Sequence, residues 1–263
     1  MTAEIIAVGT ELLLGDILNT NAQYLSRELA DLGITVLHQH VIGDNAGRLA
    51  QLVEEAKSRS DLLVFSGGLG PTADDLTKET VAACYGDTLR FDAEEMEKIE
   101  DFYRRTGRKM PENNRKQAMV PVKGRKIPNH HGTAPGVWFE DEGGRCAVLM
   151  PGPPHELECV FEREAKKYLQ ALSQEVIRFH DIRSFGLGES AVEDLLRAQM
   201  ERMVNPSLAT YAKPSEVRLR ATARAGTEAE AEAMLAPVVA EVRAVLGDYV
   251  YGVDVESLPA ACL

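Results

Sequence analysis

Cysteine is scarce in this chain. Cys84, Cys146, Cys159 and Cys262 are the four present in 263 residues, and no two of them form a C-x-x-C pair. That spacing excludes a zinc knuckle and a thioredoxin-like redox motif, leaving reduced core or surface thiols as the reading. Also missing are G-x-x-x-x-G-K-[ST] and G-x-G-x-x-G, which removes the P-loop and the dinucleotide fingerprint. No run of about 18 apolar residues exists from which a spanning helix could be built. Met1 leads within three residues into Glu4-Ile-Ile-Ala-Val8, too short and too poorly flanked for a signal peptide. A soluble, cytoplasmic protein without a membrane partner is expected. Basic residues are in deficit, 29 against 41 acidic for a net charge of −12, which argues against nucleic acid and anionic membranes as partners. Hydrophobic content of 44% supplies a genuine core, and the length suits one large domain or a main domain with a small one.

What is present is an ordered alternation of strand and helix signals. Residues 4–8 read as a strand. Thr20-x-x-Gln23 reads as a capping box for a helix with Ala22, Leu25, Leu29 and Leu32 on one face, stopped by Gly33. Residues 34–42 are strand-like, Leu49, Leu52, Val53 and Ala56 mark a second helix, and 61–65 is a further strand. This β-α-β-α-β order predicts a parallel sheet with helices on both faces. Polar helices follow to about residue 119, then short strands near 136–140 and 146–150 and a helix from His155 to about Leu172. The organisation changes near 173. Residues 179–187 look extended, Ser190-x-x-Glu193 and Thr227-x-x-Glu230 read as helix caps, and Tyr249–Tyr251 as a returning strand. Val217, Leu219, Ala221 and Ala223 alternate with polar residues, the pattern of a half-exposed sheet. The division expected is a catalytic α/β domain over 1–172, a small α+β module over 173–255 and a tail over 256–263. The row Arg218, Arg220 and Arg224 is expected to pair with carboxylates of the main domain or of a second subunit.

In an open parallel sheet, ligands bind beyond the carboxyl ends of the strands. Three loops stand there. Gly9-Thr-Glu-Leu-Leu-Leu-Gly-Asp16 follows the first strand and runs on to Asn19-Thr-Asn21. Ser66-Gly-Gly-Leu-Gly-Pro-Thr-Ala-Asp-Asp75 follows the third, and Met150-Pro-Gly-Pro-Pro-His-Glu156 comes after 146–150. The amides of Gly67, Gly68 and Gly70 suit anionic oxygens. Asp74 and Asp75 read either as helix caps or as ligands. Adjacent acids beside a phosphate site would repel the ligand unless a divalent cation bridges them, so the loop implies metal dependence. Asn113-Asn-Arg-Lys-Gln117 reads as a phosphate clamp or as an exposed helix turn. His155 is a base candidate or a structural residue. The His130-His131 pair suggests metal, but adjacent side chains on a loop rarely converge.

"GTELLLGDILNTN", "SGGLGPTADDLT", "NNRKQAMVP", "NHHGTAPG" and "PGPPHE", in this order, resemble the CinA (competence/damage-inducible protein) family over the whole chain. Its amino-terminal part is similar to the molybdopterin-binding domain, and 173–253 resembles a KH-like module. The resemblance implies a three-layer α/β/α domain, a homodimer, and ADP-ribose pyrophosphatase activity dependent on a divalent metal (Mg, Mn or Co) and helped by potassium. It also implies a required aspartate at Asp75. Molybdopterin-binding relatives carry threonine and arginine where this loop has Leu69 and Asp74, which puts molybdopterin binding in doubt. Many CinA proteins continue into a nicotinamide-nucleotide amidohydrolase domain, so deamidase activity is not expected of this chain.

The reaction expected is hydrolysis of ADP-ribose to AMP and ribose 5-phosphate. Glu11 and Asp75 are the expected catalytic residues, and Glu11, Asp74, Asp75 and Glu156 the metal ligands. Thr10, Asn19, Asn21, Gly67, Gly68, Gly70, Thr72, Pro151 and Gly152 are expected to hold substrate. Two rivals stand beside this reading: a molybdopterin-binding or molybdopterin-adenylylating protein, and a nucleic-acid-binding module. The last needs a G-x-x-G loop, whereas 186–189 read Gly-Leu-Gly-Glu.

Overall fold

The computed structural model describes residues 1–172, 175–213, 216–255 and 258–261. They form two compact units. The larger runs from the first strand to Leu172, apart from the turn Asp31–Gly33, and the smaller takes in the chain from Glu175 onward.

The larger unit opens with β1 (Thr2–Val8), α1 (Thr10–Leu14), α2 (Thr20–Asp31), β2 (Thr35–Ile42), α3 (Ala46–Lys57) and β3 (Leu62–Ser66). Then come α4 (Thr77–Cys84), β4 (Leu89–Phe91), α5 (Ala93–Arg105), a 3-10 segment Glu112–Ala118, β5 (Met119–Pro121), β6 (Arg125–Ile127), β7 (Gly136–Glu140) and β8 (Cys146–Met150). It closes with α6 (Pro154–Val160), which passes through a π-helical turn at Phe161–Ala165 into α7 (Lys166–Leu172). The main sheet has the order β2-β1-β3-β8-β7-β6. Its first four strands are parallel and β7 and β6 run antiparallel, while β4 and β5 form a separate ribbon.

Strands β1, β3 and β8 are near-continuous apolar runs because both of their faces are covered. One face, with Ile6, Val8, Leu63 and Phe65, packs on Leu49 and Val53 of α3 and Val81 and Ala82 of α4. Period two turns Ile5 and Val64 the other way, and both are fully buried. Leu25 and Leu29 of α2 are buried outside the first cluster, as the second covering layer requires. A Tyr24–Phe161 ring contact at 5.6 Å and a Lys166–Glu28 ion pair at 2.9 Å join α2 to the π turn and α7.

Glu4 interrupts β1 with a carboxylate that is 0% exposed. It accepts from Arg59 Nε at 2.7 Å and Ser60 Oγ at 2.9 Å, and lies 2.7 Å from His40 Nε2. Burial pushes this carboxyl up, but the hydrogen bonds from Arg59, His40 and Ser60 outweigh it and bring it down to about 2.

Two capping expectations give way to neighbouring residues. Thr20 lies inside α2, and it is Asn19 that caps the helix, its Oδ1 accepting from Ala22 N at 3.1 Å. Ser190 likewise lies inside its helix, which begins from Gly188 without a side-chain cap. The Thr227–Glu230 capping box is present in full.

The smaller unit contains β9 (Val176–Phe185), α8 (Glu189–Arg202), β10 (Ser207–Lys213), β11 (Glu216–Ala225), α9 (Glu228–Leu246), β12 (Val250–Val253) and α10 (Leu258–Ala261). Its antiparallel sheet, ordered β10-β11-β9-β12, buries Val217, Leu219, Ala221 and Ala223 with Val192 and Leu196 of α8 and Leu235 and Val242 of α9. The arginine row finds its carboxylates inside this unit. Arg220 pairs in register with Asp181 on β9, with Nε–Oδ1 at 2.8 Å, and Arg218 lies 3.6 Å from the same carboxylate. Arg224 lies 3.5 Å from Glu175. Carboxylates of the same unit thus stand where those of the main domain were expected. Of the tail 256–263, residues 258–261 form α10, and Cys262 lies outside the described residues.

Candidate active site

The three loops expected at the strand ends converge on one cleft of about 500 Å³. That volume suits a nucleotide-sized ligand. Every expected site residue except Thr10 lines it. Thr10 instead donates through its amide at 3.0 Å and its hydroxyl at 2.7 Å to Asp44 Oδ2, which secures the loop after β1.

The glycine loop takes its shape from positive φ and close approach. Gly67 sits at φ +97, where a Cβ would lie 2.2 Å from Val8 O, and Gly68 sits at φ +67, where a Cβ would lie 1.9 Å from Thr77 Oγ1. No larger residue fits at either position without moving backbone or core. Gly67 N donates to Met150 O at 3.0 Å and Asn21 Nδ2 donates to Ser66 Oγ and Gly152 O, both at 2.7 Å. Asn21 therefore ties the loops after β3 and β8 to α2. Its amide protons are spent on protein, so it shapes the cleft instead of donating them to ribose or phosphate. Asn19 Oδ1 serves α2 as its cap.

Neither Asp74 nor Asp75 caps α4, whose first turn has no side-chain cap. Asp75 Oδ2 accepts from Thr72 N at 2.9 Å and from Thr72 Oγ1, closing the loop on itself. Asp74 is exposed, and a hydrogen bond from Thr72 holds its carboxyl below the ordinary value. Lys116 does not reach out as a phosphate clamp. Its ammonium donates to the carbonyls of Thr72, at 3.1 Å, and Asp75, bracing the loop from outside. Arg115 stacks on Phe91 at 4.3 Å.

Two further residues support the site from outside its lining. Lys78 is buried, and its Nζ donates to the carbonyls of Lys116 and Gln117, each at 3.3 Å, fixing the segment that brings Gln117 to the cleft wall. Burial pushes its ammonium down to about 8. Asn129 donates from Nδ2 to Glu156 Oε2 at 2.8 Å and to Ala134 O at 3.0 Å, which positions Glu156 at the start of α6. Lys78 lies 38 and 39 positions from Lys116 and Gln117, and Asn129 lies 27 from Glu156, so no local pattern announces these contacts.

Glu11, Asp44, Asp74, Asp75 and Glu156 line the cleft, with no lysine, arginine or histidine among the described lining residues. Among the described residues these acids do not form a preformed cage. Among the described residues, the trio of potential ligands whose donor atoms lie mutually within 4.8 Å is His131, His155 and Cys159. A cleft of this kind suits a hard cation held by one or two carboxylates together with substrate phosphates.

The chain matches two family models, a probable molybdopterin binding domain over residues 4–171 and a damage-inducible protein CinA KH domain over 180–252. It is 50% identical over 264 aligned residues to a putative competence-damage inducible protein of Symbiobacterium thermophilum, covering 99% of this chain and 62% of that protein. A putative competence-damage inducible protein of Lysinibacillus sphaericus is 48% identical over 98% of this chain and 62% of its own length. The crystal structure of CinA from Thermoplasma acidophilum, described as of unknown function, superposes with a TM-score of 0.57 at 35% identity, over 64% of this chain and 97% of that one. The chain thus spans less than two thirds of the curated relatives' length. With both domain models matched in order and near-half identity along almost its whole extent, this chain belongs to the CinA family.

Proposed function

We propose that the cleft hydrolyses the diphosphate of ADP-ribose, giving AMP and ribose 5-phosphate, with a divalent cation as cofactor. The observation that carries this reading is the lining itself, which combines a glycine loop of the type that cradles phosphate with five carboxylates and, among the described residues, no cationic side chain. Such a wall repels a diphosphate on its own, so the two fit together only with metal between them. When bound, that cation supplies charge neutralisation at the bridging and leaving oxygens.

The chain's own residues do the rest. The loop backbone at Gly67, Gly68 and Gly70 comes close to the ligand because no side chain stands in the way. Asn21 and Lys116 keep that backbone fixed. A carboxylate, Glu11 or Asp75, takes a proton from water as its oxygen adds to one phosphorus. The bond from that phosphorus to the bridging oxygen breaks, and the departing phosphate leaves with the electron pair. Potassium and a homodimer belong to the same proposal. Leu13, Leu14, Ile17 and Leu18, exposed on and after α1, support pairing with a second copy.

The test is to incubate the purified chain with ADP-ribose and magnesium, manganese or cobalt in turn and follow AMP. Release of AMP that a chelator stops is the expected result. No AMP with any metal, together with ATP-dependent adenylylation of molybdopterin, would replace this reading with the pterin one.

A further inference from the structure

His131, His155 and Cys159 do not belong to the lining of the cleft, although His155 adjoins the lining residue Glu156 in the chain. His155 occupies the first turn of α6 and Cys159 follows four residues later, so both point from one helix face. His131 comes from the turn between β6 and β7. That turn is pinned at the right place by Asn129, whose Oδ1 accepts from the amides of His131 and Gly132, both at 2.9 Å. The Asn129–Glu156 bond then fastens the turn to α6 beside His155. Gly132 permits the close approach, since a Cβ there would lie 1.8 Å from Glu156 Oε2.

The result is two imidazoles at 88° with centroids 5.1 Å apart, and a thiol whose sulfur joins them within the 4.8 Å span. Among the described residues the donor atoms of all three lack a hydrogen-bond or ion-pair partner. The neighbouring His130 does have one, lying 3.4 Å from Glu164. We propose that His131, His155 and Cys159 form a site for a borderline or soft transition-metal ion of the zinc or cobalt class, separate from the acidic cleft.

Donor chemistry sets the class. Imidazole and thiolate select zinc, cobalt or nickel over magnesium and calcium, which prefer oxygen. Tetrahedral bonds of about 2.0–2.3 Å need donors ~3.5 Å apart, so closing the present span takes a shift of ~1 Å by side chains that are exposed or only partly buried. Three protein ligands leave a fourth position for water or a ligand atom, the arrangement of open zinc sites. The site needs nothing from the proposed hydrolysis.

The experiment is a direct titration of the whole chain without substrate. Zinc is measured by competition with a chromophoric chelator, and cobalt by its visible bands and its thiolate charge-transfer absorbance. One equivalent should bind, unaffected by millimolar magnesium. Cys159→Ser should abolish the charge-transfer band, and His131→Ala and His155→Ala should each weaken zinc by more than about tenfold. Cys262→Ser should leave both metals unchanged. The proposal is overturned if the parent binds no zinc at concentrations up to about 100 μM, or if the Cys159 and His155 variants titrate like the parent. AMP release has no part in these readings, so they stand or fall apart from the reaction in the cleft.

Discussion

Asn129 and Glu156, 27 positions apart, meet through one 2.8 Å hydrogen bond, and that bond joins the turn before β7 to the start of α6. Removing the donor as Asn129→Ala leaves Glu156 without this partner and unties the amides of His131 and Gly132. A hydrogen bond to a charged group contributes about 1.5–3 kcal/mol. The variant should melt several degrees lower and turn over ADP-ribose more slowly, with zinc affinity falling in parallel. Differential scanning calorimetry and both assays on one preparation check this.

Asp75→Asn separates charge from shape. An asparagine Oδ1 can still accept from Thr72 N, so the loop should close as before. The lost negative charge should lower turnover by about 100-fold or more, in keeping with removal of a group that acts on transition-state charge. An unchanged melting temperature with undiminished AMP release would remove Asp75 from the chemistry.

Glu4 makes stability depend on acid. Its folded value of about 2 lies below the unfolded 4.5, so its contribution is complete above about 4.5 and is lost as pH falls toward 2. The shift corresponds to about 3 kcal/mol. Denaturation curves at pH 6, 4.5 and 3 should show Glu4→Gln, less stable at neutrality, losing stability less steeply than the parent on acidification.

Arg220 and Asp181 form a bidentate pair across β11 and β9, with the guanidinium also 4.0 Å from the Phe179 ring. Arg220→Ser should destabilise the smaller unit by about 1–2 kcal/mol. Trp138, the single tryptophan, sits on β7 of the larger unit. The loss should therefore appear in circular dichroism while tryptophan fluorescence keeps its midpoint. A concentration-dependent shift in sedimentation instead would return the arginines to a subunit interface.

Local pattern made much of this fold legible. The strands at 136–140 and 146–150 stand where their apolar runs place them, and the Thr227 box announces α9. The antiparallel direction of β7 was not legible, because an apolar run buried on both faces carries no direction. Sequence does not tell Asn19 from Thr20 as the cap of α2, since either residue type can cap and only backbone geometry decides. In the cleft, the loops after parallel strands could be named from chain order. Lys78 and Asn129 could not, since each reaches carbonyl or carboxylate partners far along the chain. The histidine that meets His155 was hidden for the same reason. Of two adjacent candidates, the Asn129 turn selects His131.

The π turn at Phe161–Ala165 carries one residue more than an α-helical turn would. Everything after it is rotated by about 100° relative to an uninterrupted helix. The half that presents His155, Glu156 and Cys159 and the half that buries Leu169 are therefore phased independently along one axis. Loss of a single residue within the turn would leave an ordinary helix, yet it would swing one half's side chains out of their places. Spacing in this stretch is thus a constraint of its own, separate from which residues occupy it.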